Sequence, residues 1–203
     1  VSDNIKRSIW EQPSMDDKLL IEKIASGDES AFKQFVEKYH QMVLNVCHHI
    51  LHNVEDSMDV SQEVFIKIYE SIDQFRGDSK VTTWLYRIAV NKSLNYLRSN
   101  KRNKWFSSLD LLFGDEKRKI DPVDDTLQPG EDMEADENKK VLHFALKKIP
   151  EKQNIAISLS HFEDLSYKEV AEIMNISVSE VGVLINRGKK KLEKIIIDYY
   201  KKN

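Results

Sequence analysis

From Met15 to Phe75 apolar residues recur every three or four positions and proline is absent, a spacing that predicts helices rather than strands. Met15, Leu19, Leu20 and Ile24 share one face of a first helix, which Gly27 can end in the left-handed conformation. Asp28 then caps a second helix with Phe32, Phe35, Tyr39, Val43, Val46 and Ile50 along its buried stripe. A polar break at 52–56 precedes a third, with Val60, Val64, Phe65, Ile68 and Ile72 inward, and Gly77 marks the next turn. Leu85, Ile88, Ala89, Tyr96 and Leu97 continue the helical period from Val81 to about Arg102. The period resumes at Lys139, where Val141, Leu142, Phe144, Ala145 and Ile149 lead to Pro150, and Ile155, Ala156, Ile157 and Leu159 build the helix after it.

The last forty residues add a sharper local pattern. Ser166-Tyr167-Lys168-Glu169 and Ser177-Val178-Ser179-Glu180 are both capping boxes, in which Ser accepts from the amide three residues on and Glu reaches back to the Ser amide. They bracket a short helix (Tyr167 to Met174), a three-residue turn (Asn175, Ile176, Ser177) and a second helix from Val178. This is the spacing of a helix-turn-helix. Val170, Ala171, Met174, Ile176, Val181, Leu184 and Ile185 supply the contacts that lock its two helices together.

Composition changes this picture only when it is read in blocks. The 203 residues carry a formal charge of −3, but residues 1–83 hold −6, 84–106 hold +6, 107–138 hold −8 and 139–203 hold +5. Alternating signs point to polyanions and protein partners rather than to a uniform enzyme surface. The boundaries predict an all-α chain of two small helical domains, 1–106 and 139–203, joined by a flexible acidic linker at 107–138 whose Pro, Gly and carboxylates cannot bury a core. No stretch has the ~18–20 apolar residues of a membrane helix, and the chain opens with no signal-peptide core, so membrane insertion is not expected and a cytoplasmic location is. Cys47 is the one cysteine, and its apolar surroundings suit core filling.

Candidate chemistry is confined to a few places. No phosphate loop, nucleophile elbow or paired catalytic carboxylates occur, so no enzyme, cofactor or resident metal is expected. His48 and His52 are four apart, with His49 between them, and a helical adaptor or metal sensor built on them would bind zinc. The segment 84–106 is different. Arg87, Lys92, Arg98, Lys101, Arg102 and Lys104 stand without one acid among Trp84, Tyr86, Tyr96, Trp105 and Phe106, which suits phosphate neutralisation beside stacking on unpaired bases. The basic run Arg187, Lys189, Lys190, Lys191 and Lys194 after the helix-turn-helix points to duplex DNA. A free-standing helix-turn-helix regulator would use only this last element.

From about Met15 to about Leu192 the chain resembles bacterial alternative sigma factors of the extracytoplasmic-function group. Gly27-Asp28 with Ala31-Phe32 and Tyr39, then Asp59-Val60-Ser61-Gln62-Glu63-Val64-Phe65, resemble the family's first helices and its polymerase-binding helix. Phe75-Arg76-Gly77-Asp78-Ser79 with Thr83 through Asn91 resembles its promoter-melting segment. Leu146, Ile149-Pro150, Leu165 through Ala171 and Ile176 through Arg187 resemble its second DNA-binding domain.

The resemblance implies a dissociable, non-catalytic RNA polymerase subunit that recognises promoters, helps to melt DNA and is held by an anti-sigma factor. Asp59, Gln62 and Glu63 would meet the β′ coiled coil, and the second domain the β flap. Trp84, Tyr86, Arg87, Asn91, Lys92, Arg98, Lys101 and Arg102 would read and hold the minus-ten element, with a flipped base near Asn91. Ser179, Glu180, Val183, Asn186, Arg187, Lys189 and Lys190 would serve the minus-thirty-five element. The chain departs from the family at Gly182 and Leu184, where groove-facing polar side chains are frequent, and at Asn154, where Arg is common. Opposed charge blocks also predict weak DNA binding by the free protein.

Overall fold

A computed structural model of the chain describes residues 15–75, 77, 79–113 and 133–202. Eight α-helices follow one another in the described residues: α1 (Met15–Ala25), α2 (Glu29–Leu51), α3 (Val54–Ser71), α4 (Val81–Phe113), α5 (Met133–Lys148), α6 (Glu151–Ile157), α7 (Tyr167–Met174) and α8 (Val178–Lys202). A 3₁₀ turn at Ile72–Gln74 follows α3, and a π-helical turn at Ser158–Phe162 follows α6.

The first unit is built as the apolar pattern requires. Gly27 takes φ +90°, and the Asp28 carboxylate accepts the Ala31 amide at 3.1 Å to start α2. The polar break at 52–56 resolves into two caps. His52 ends α2 in the left-handed region, and Asn53 starts α3 by accepting the Asp56 amide at 2.9 Å. Phe35, Val43, Val46 and Ile50 of α2 are buried against Val60, Val64 and Ile68 of α3 and Leu85 and Ala89 of α4. Each of these side chains except Ala89 contributes roughly 1.5–3 kcal/mol by leaving water. Lys38 binds the nearly buried Asp17, tying α1 to α2. Cys47 lies fully inside this core, where burial pushes its thiol up to about 11, so it is filler as expected.

Helix α4 runs seven residues past the expected boundary at 106, and α5 starts six residues before 139, so both ends of the acidic linker are helical. Leu109, Leu111, Leu112 and Phe113 extend the apolar pattern at one end. At the other, Glu134, Asp136 and Glu137 sit in the first turns of α5, where a helix dipole favours carboxylates. Residues 114–132, which hold the rest of that linker, lie outside the described residues.

In the second unit α8 packs across α5, α6 and α7. A Cβ on Gly188 would lie 2.5 Å from Ile157 Cδ1 and 3.3 Å from Gln153 Cβ, so glycine is what lets α8 approach α6 this closely. The helix-turn-helix forms with the expected limits. Both capping boxes are complete, with Ser166 N to Glu169 at 3.0 Å and Ser177 N to Glu180 at 2.8 Å. The turn between them is made by Asn175 at φ +54°.

The two units are docked. The face of α2 and α4 meets α6, the π-helical turn and α7. Asn154 sits 4 % exposed in this seam. Its amide nitrogen donates to the Ile50 carbonyl at 3.2 Å and toward His52 Nε2 at 3.1 Å, while its oxygen accepts from Ser158 Oγ at 3.2 Å. The departure at position 154 therefore supplies a buried cross-link between the units.

Candidate polymerase and nucleic-acid interfaces

Helix α3 presents one face to solvent. Val60, Val64, Phe65 and Ile68 turn inward, and the three-and-four spacing leaves Asp59, Gln62 and Glu63 exposed on the other side. Met58, Ile66 and Tyr69 are exposed among them, Ile66 at 59 %. The stripe thus combines carboxylates with exposed apolar side chains on one face of α3. The apolar members were not singled out from the sequence, although the i, i+4 and i, i+3 offsets of Met58 and Ile66 from Gln62 and Glu63 carry the signal.

Helix α4 carries the second group. Trp84 is half-buried against Phe75, ring centroids 5.2 Å apart, so it is held by the core on one side. Asn91 and Arg98 are exposed, and Arg87 and Lys92 half-buried. Tyr86 is 1 % exposed, and its hydroxyl donates to Glu163 of the second unit at 3.1 Å. Burial and that carboxylate push the phenol well above its usual range. In the docked arrangement Tyr86 is thus a seam residue with no surface open to a base. Lys101 and Arg102 continue along α4, although their side chains lie outside the described residues.

Two cations of α4 already have partners. Arg87 donates through Nε and Nη2 to the Glu172 carbonyl at 3.2 and 3.0 Å, with the Glu172 carboxylate 3.5 Å away. Lys92 reaches Glu63 at 3.0 Å, joining an expected DNA contact to an expected polymerase contact.

The third group lies on α8. Ser179, Val183, Asn186, Arg187, Lys189 and Lys190 are all exposed; all but Lys189, which flanks the buried stripe, lie on the side opposite Val181 and Ile185. Glu180 is exposed too, but its carboxylate is engaged with Ser177, whose amide and hydroxyl hold its pKa below the usual range. It closes the helix start and is not free to read a base. Leu184 is half-buried against the core. Gly182 is under no steric constraint, since an added Cβ would make only ordinary contact with Tyr167 at 3.9 Å.

The histidines form part of the seam. His52 Nε2 faces the Asn154 amide, and the His48 and His52 rings lie 5.6 and 5.5 Å from His143 of α5. Burial, His143 and Lys147 push the His52 pKa down to about 3, so it is neutral at ordinary pH. His49 Nδ1 instead meets Glu163 at 3.0 Å. Among the described residues, no group of three or more His, Cys, Asp or Glu is arranged to hold a metal ion, and no helix is long and apolar enough to cross a membrane.

A bundle with a basic, aromatic helix, a helix-turn-helix with an open cationic face, and a separate acidic-apolar docking stripe define a bipartite DNA-binding protein that works with a protein partner. Comparison with known proteins narrows the class. Residues 35–103 match the family model Sigma-70 region 2, and residues 139–192 match Sigma-70, region 4. The RNA polymerase sigma-H factor of Pseudomonas aeruginosa is 34 % identical over 185 residues, 89 % of this chain and 93 % of that protein. The ECF RNA polymerase sigma-E factor of Escherichia coli K12 is 33 % identical over 177 residues, 87 % and 92 % of the two chains. Two solved structures share the fold: CnrH in complex with the cytosolic domain of CnrY (TM-score 0.63, 22 % identity, 90 % of this chain and 98 % of that one) and the sigma factor RpoE in complex with the anti-sigma factor NepR from Bartonella quintana (TM-score 0.59, 21 % identity, 81 % and 96 %).

The chain belongs to the sigma-70 family of RNA polymerase sigma factors, in its extracytoplasmic-function group. It directs RNA polymerase to promoters and is a binding subunit, not an enzyme. That membership sets aside the free-standing regulator.

Proposed function

We propose that the three exposed surfaces divide the work of promoter recognition. The stripe on α3, with Asp59, Gln62 and Glu63 beside Met58 and Ile66, takes the β′ coiled coil, and the second unit takes the β flap. Residues 1–106 and 139–203 act as the two working domains, with the acidic segment 107–138 between them. Trp84, Arg87, Asn91, Lys92, Arg98, Lys101 and Arg102 engage the opened minus-ten element, Asn91 offering an amide that both donates and accepts toward a flipped base. On α8, Arg187, Lys189 and Lys190 hold phosphates, while Ser179, Val183 and Asn186 face base edges in the major groove. The protein acts in the cytoplasm. The Bartonella relative was solved with an anti-sigma factor, and an inhibitor of that kind is proposed for this chain.

The observation that carries this division is the position of Asp59, Gln62 and Glu63, exposed on the side of α3 opposite its buried stripe. Run-off transcription with purified core polymerase tests it. Asp59→Ala with Glu63→Ala should weaken core binding by about tenfold, in line with two charge-assisted contacts, and leave duplex binding by the free chain unchanged. Equal loss in both assays would mean a folding defect and no separate docking face.

A further inference from the structure

A cleft of about 280 Å³ opens at the C-terminal end of α2, where it meets α5 and α8. His48 and His52 line it from the end of α2, Lys140, His143 and Lys147 from α5, and Tyr199 from α8. Among the described residues that line it there is no carboxylate. Lys140, His143 and Lys147 are spaced three and four apart, so they form one row along α5. The rings of His48 and His52 face that row, 5.6 and 5.5 Å from the ring of His143. The His52 pKa registers the positive surroundings, being pushed down to about 3 by burial first and then by His143, Lys147 and His48. Hydrogen bonding at His52 points the same way. The Asn154 amide nitrogen donates to the Ile50 carbonyl, which fixes its orientation, and toward His52 Nε2. Nε2 is therefore the acceptor of the neutral ring and the proton sits on Nδ1. That buried Nδ1–H has no hydrogen-bond partner among the described residues, so this end of the cleft lacks an acceptor.

We propose that the cleft binds a small oligophosphate, with Lys140 and Lys147 holding its ends and His48 and His143 between them. Its volume is at the small end of ligand pockets, which run from about 300 Å³, and suits a small anion. The seven residues from Lys140 to Lys147 rise by roughly 10.5 Å. One orthophosphate meets only one end of such a row, whereas a chain of phosphoryl groups spans more of it. Phe144 is exposed beside His143 and packs on Tyr199, ring centroids 5.8 Å apart, which adds an aromatic edge for a base. An inorganic chain and a nucleotide thus present the same chemistry to the cations. Tyr199 stands nine residues beyond Lys190, so the cleft is removed from the DNA-facing cations of α8. His48 and His52 belong to the first unit and Lys140, His143 and Lys147 to the second, so the ligand bridges the units, and binding and docking favour each other.

Calorimetric titration of the full chain with sodium tripolyphosphate at fixed ionic strength tests this. Saturable one-to-one binding is expected, weakened at least tenfold in Lys140→Gln with Lys147→Gln, both exposed positions. Lys189→Gln with Lys190→Gln removes the same charge elsewhere and should cost less than twofold. Failure to saturate, or equal loss in the two variants, overturns the site. Duplex DNA affinity should be unchanged in Lys140→Gln with Lys147→Gln, and a parallel loss there would make the cleft part of the DNA surface and overturn it too. Dyes at Lys33→Cys and Lys194→Cys report the separation of the units, and their energy transfer should not fall on binding; a fall contradicts the bridge. ATP without magnesium identifies the source. Binding tighter than that of tripolyphosphate, with the excess lost in Phe144→Ala, means a nucleotide, whereas affinity no tighter means an inorganic chain.

Discussion

Helices α4 and α8 both carry rows of cations with DNA as their expected partner, yet they stand in opposite states. On α4, Arg87 is bound to Glu172 and Lys92 to Glu63. On α8, Asn186, Arg187, Lys189 and Lys190 project into solvent, whereas Val181, Ile185 and Gly188 of the same helix are packed. Similar charge therefore does not mean similar availability. The cationic face of α8 is open to solvent, whereas Arg87 and Lys92 of α4 are held by partners within the chain, with Asn91 and Arg98 beside them exposed.

The difference can be broken from the α8 side by disturbing what presents its face. Gly188→Val should destabilise the second unit by about 3 kcal/mol, because the added side chain must enter space held by Ile157 and Gln153. Chemical denaturation of the full chain measures this, and an unchanged midpoint would mean that α8 does not rest on α6 as described. Charge removal separates the two faces more directly. Arg187→Ala, Lys189→Ala and Lys190→Ala together should cost roughly tenfold in duplex affinity and flatten its salt dependence. Arg87→Ala should leave binding of the same duplex nearly unchanged, and equal losses would abolish the distinction between the helices.

Acidification sharpens the comparison through the seam. The folded pKa of His52 lies near 3, below the ordinary histidine value of 6.5. Protonation therefore favours the unfolded or undocked chain, and the stability tied to neutral His52 is present above pH 6.5 and lost as pH falls toward 3. The slope approaches roughly 1.4 kcal/mol per pH unit. His143, Lys147, His48 and Asn154 face the ring, and the first three oppose its charge. His161, whose pKa is also lowered, contributes in the same direction. Energy transfer between the units should fall between pH 6.5 and 5, less so in His52→Gln, and an identical profile in that variant would contradict this role. The smallest effect expected is a gain. Gly182→Ala should stabilise α8 by about 1 kcal/mol, since a helical glycine with room for a methyl group has only its helix propensity to lose.

What the sequence made legible was local. The Gly27-Asp28 turn, the paired capping boxes and the alternation of Val60, Val64 and Ile68 with Asp59, Gln62 and Glu63 each depend on neighbours within four residues, and the structure repeats them. The linker ends show the same principle at its edge, because the largely apolar Leu109 through Phe113 and the largely acidic Glu134 through Glu137 are helix-compatible although the composition of 107–138 as a block reads as a tether. Residues that act across the seam left no such trace. Asn154 was visible only as a departure from the family, Glu163 as one acid in a basic block, and His52 as part of a possible metal cluster, when each acquires its role from a partner about a hundred residues away. Tyr86 and Glu180 carry suitable side chains at suitable positions, but one is buried against Glu163 and the other is held in a helix cap. Gly188, unremarked beside its basic neighbours, proves to sit where any side chain would collide with Ile157 of α6.

The most direct test of the central claim is the separation of the two units before and after core polymerase is added, read as energy transfer between dyes at Lys33→Cys and Lys194→Cys. Efficient transfer in the free chain that falls on binding core is the predicted result; low transfer in the free chain, or a value that core polymerase leaves unchanged, would contradict it.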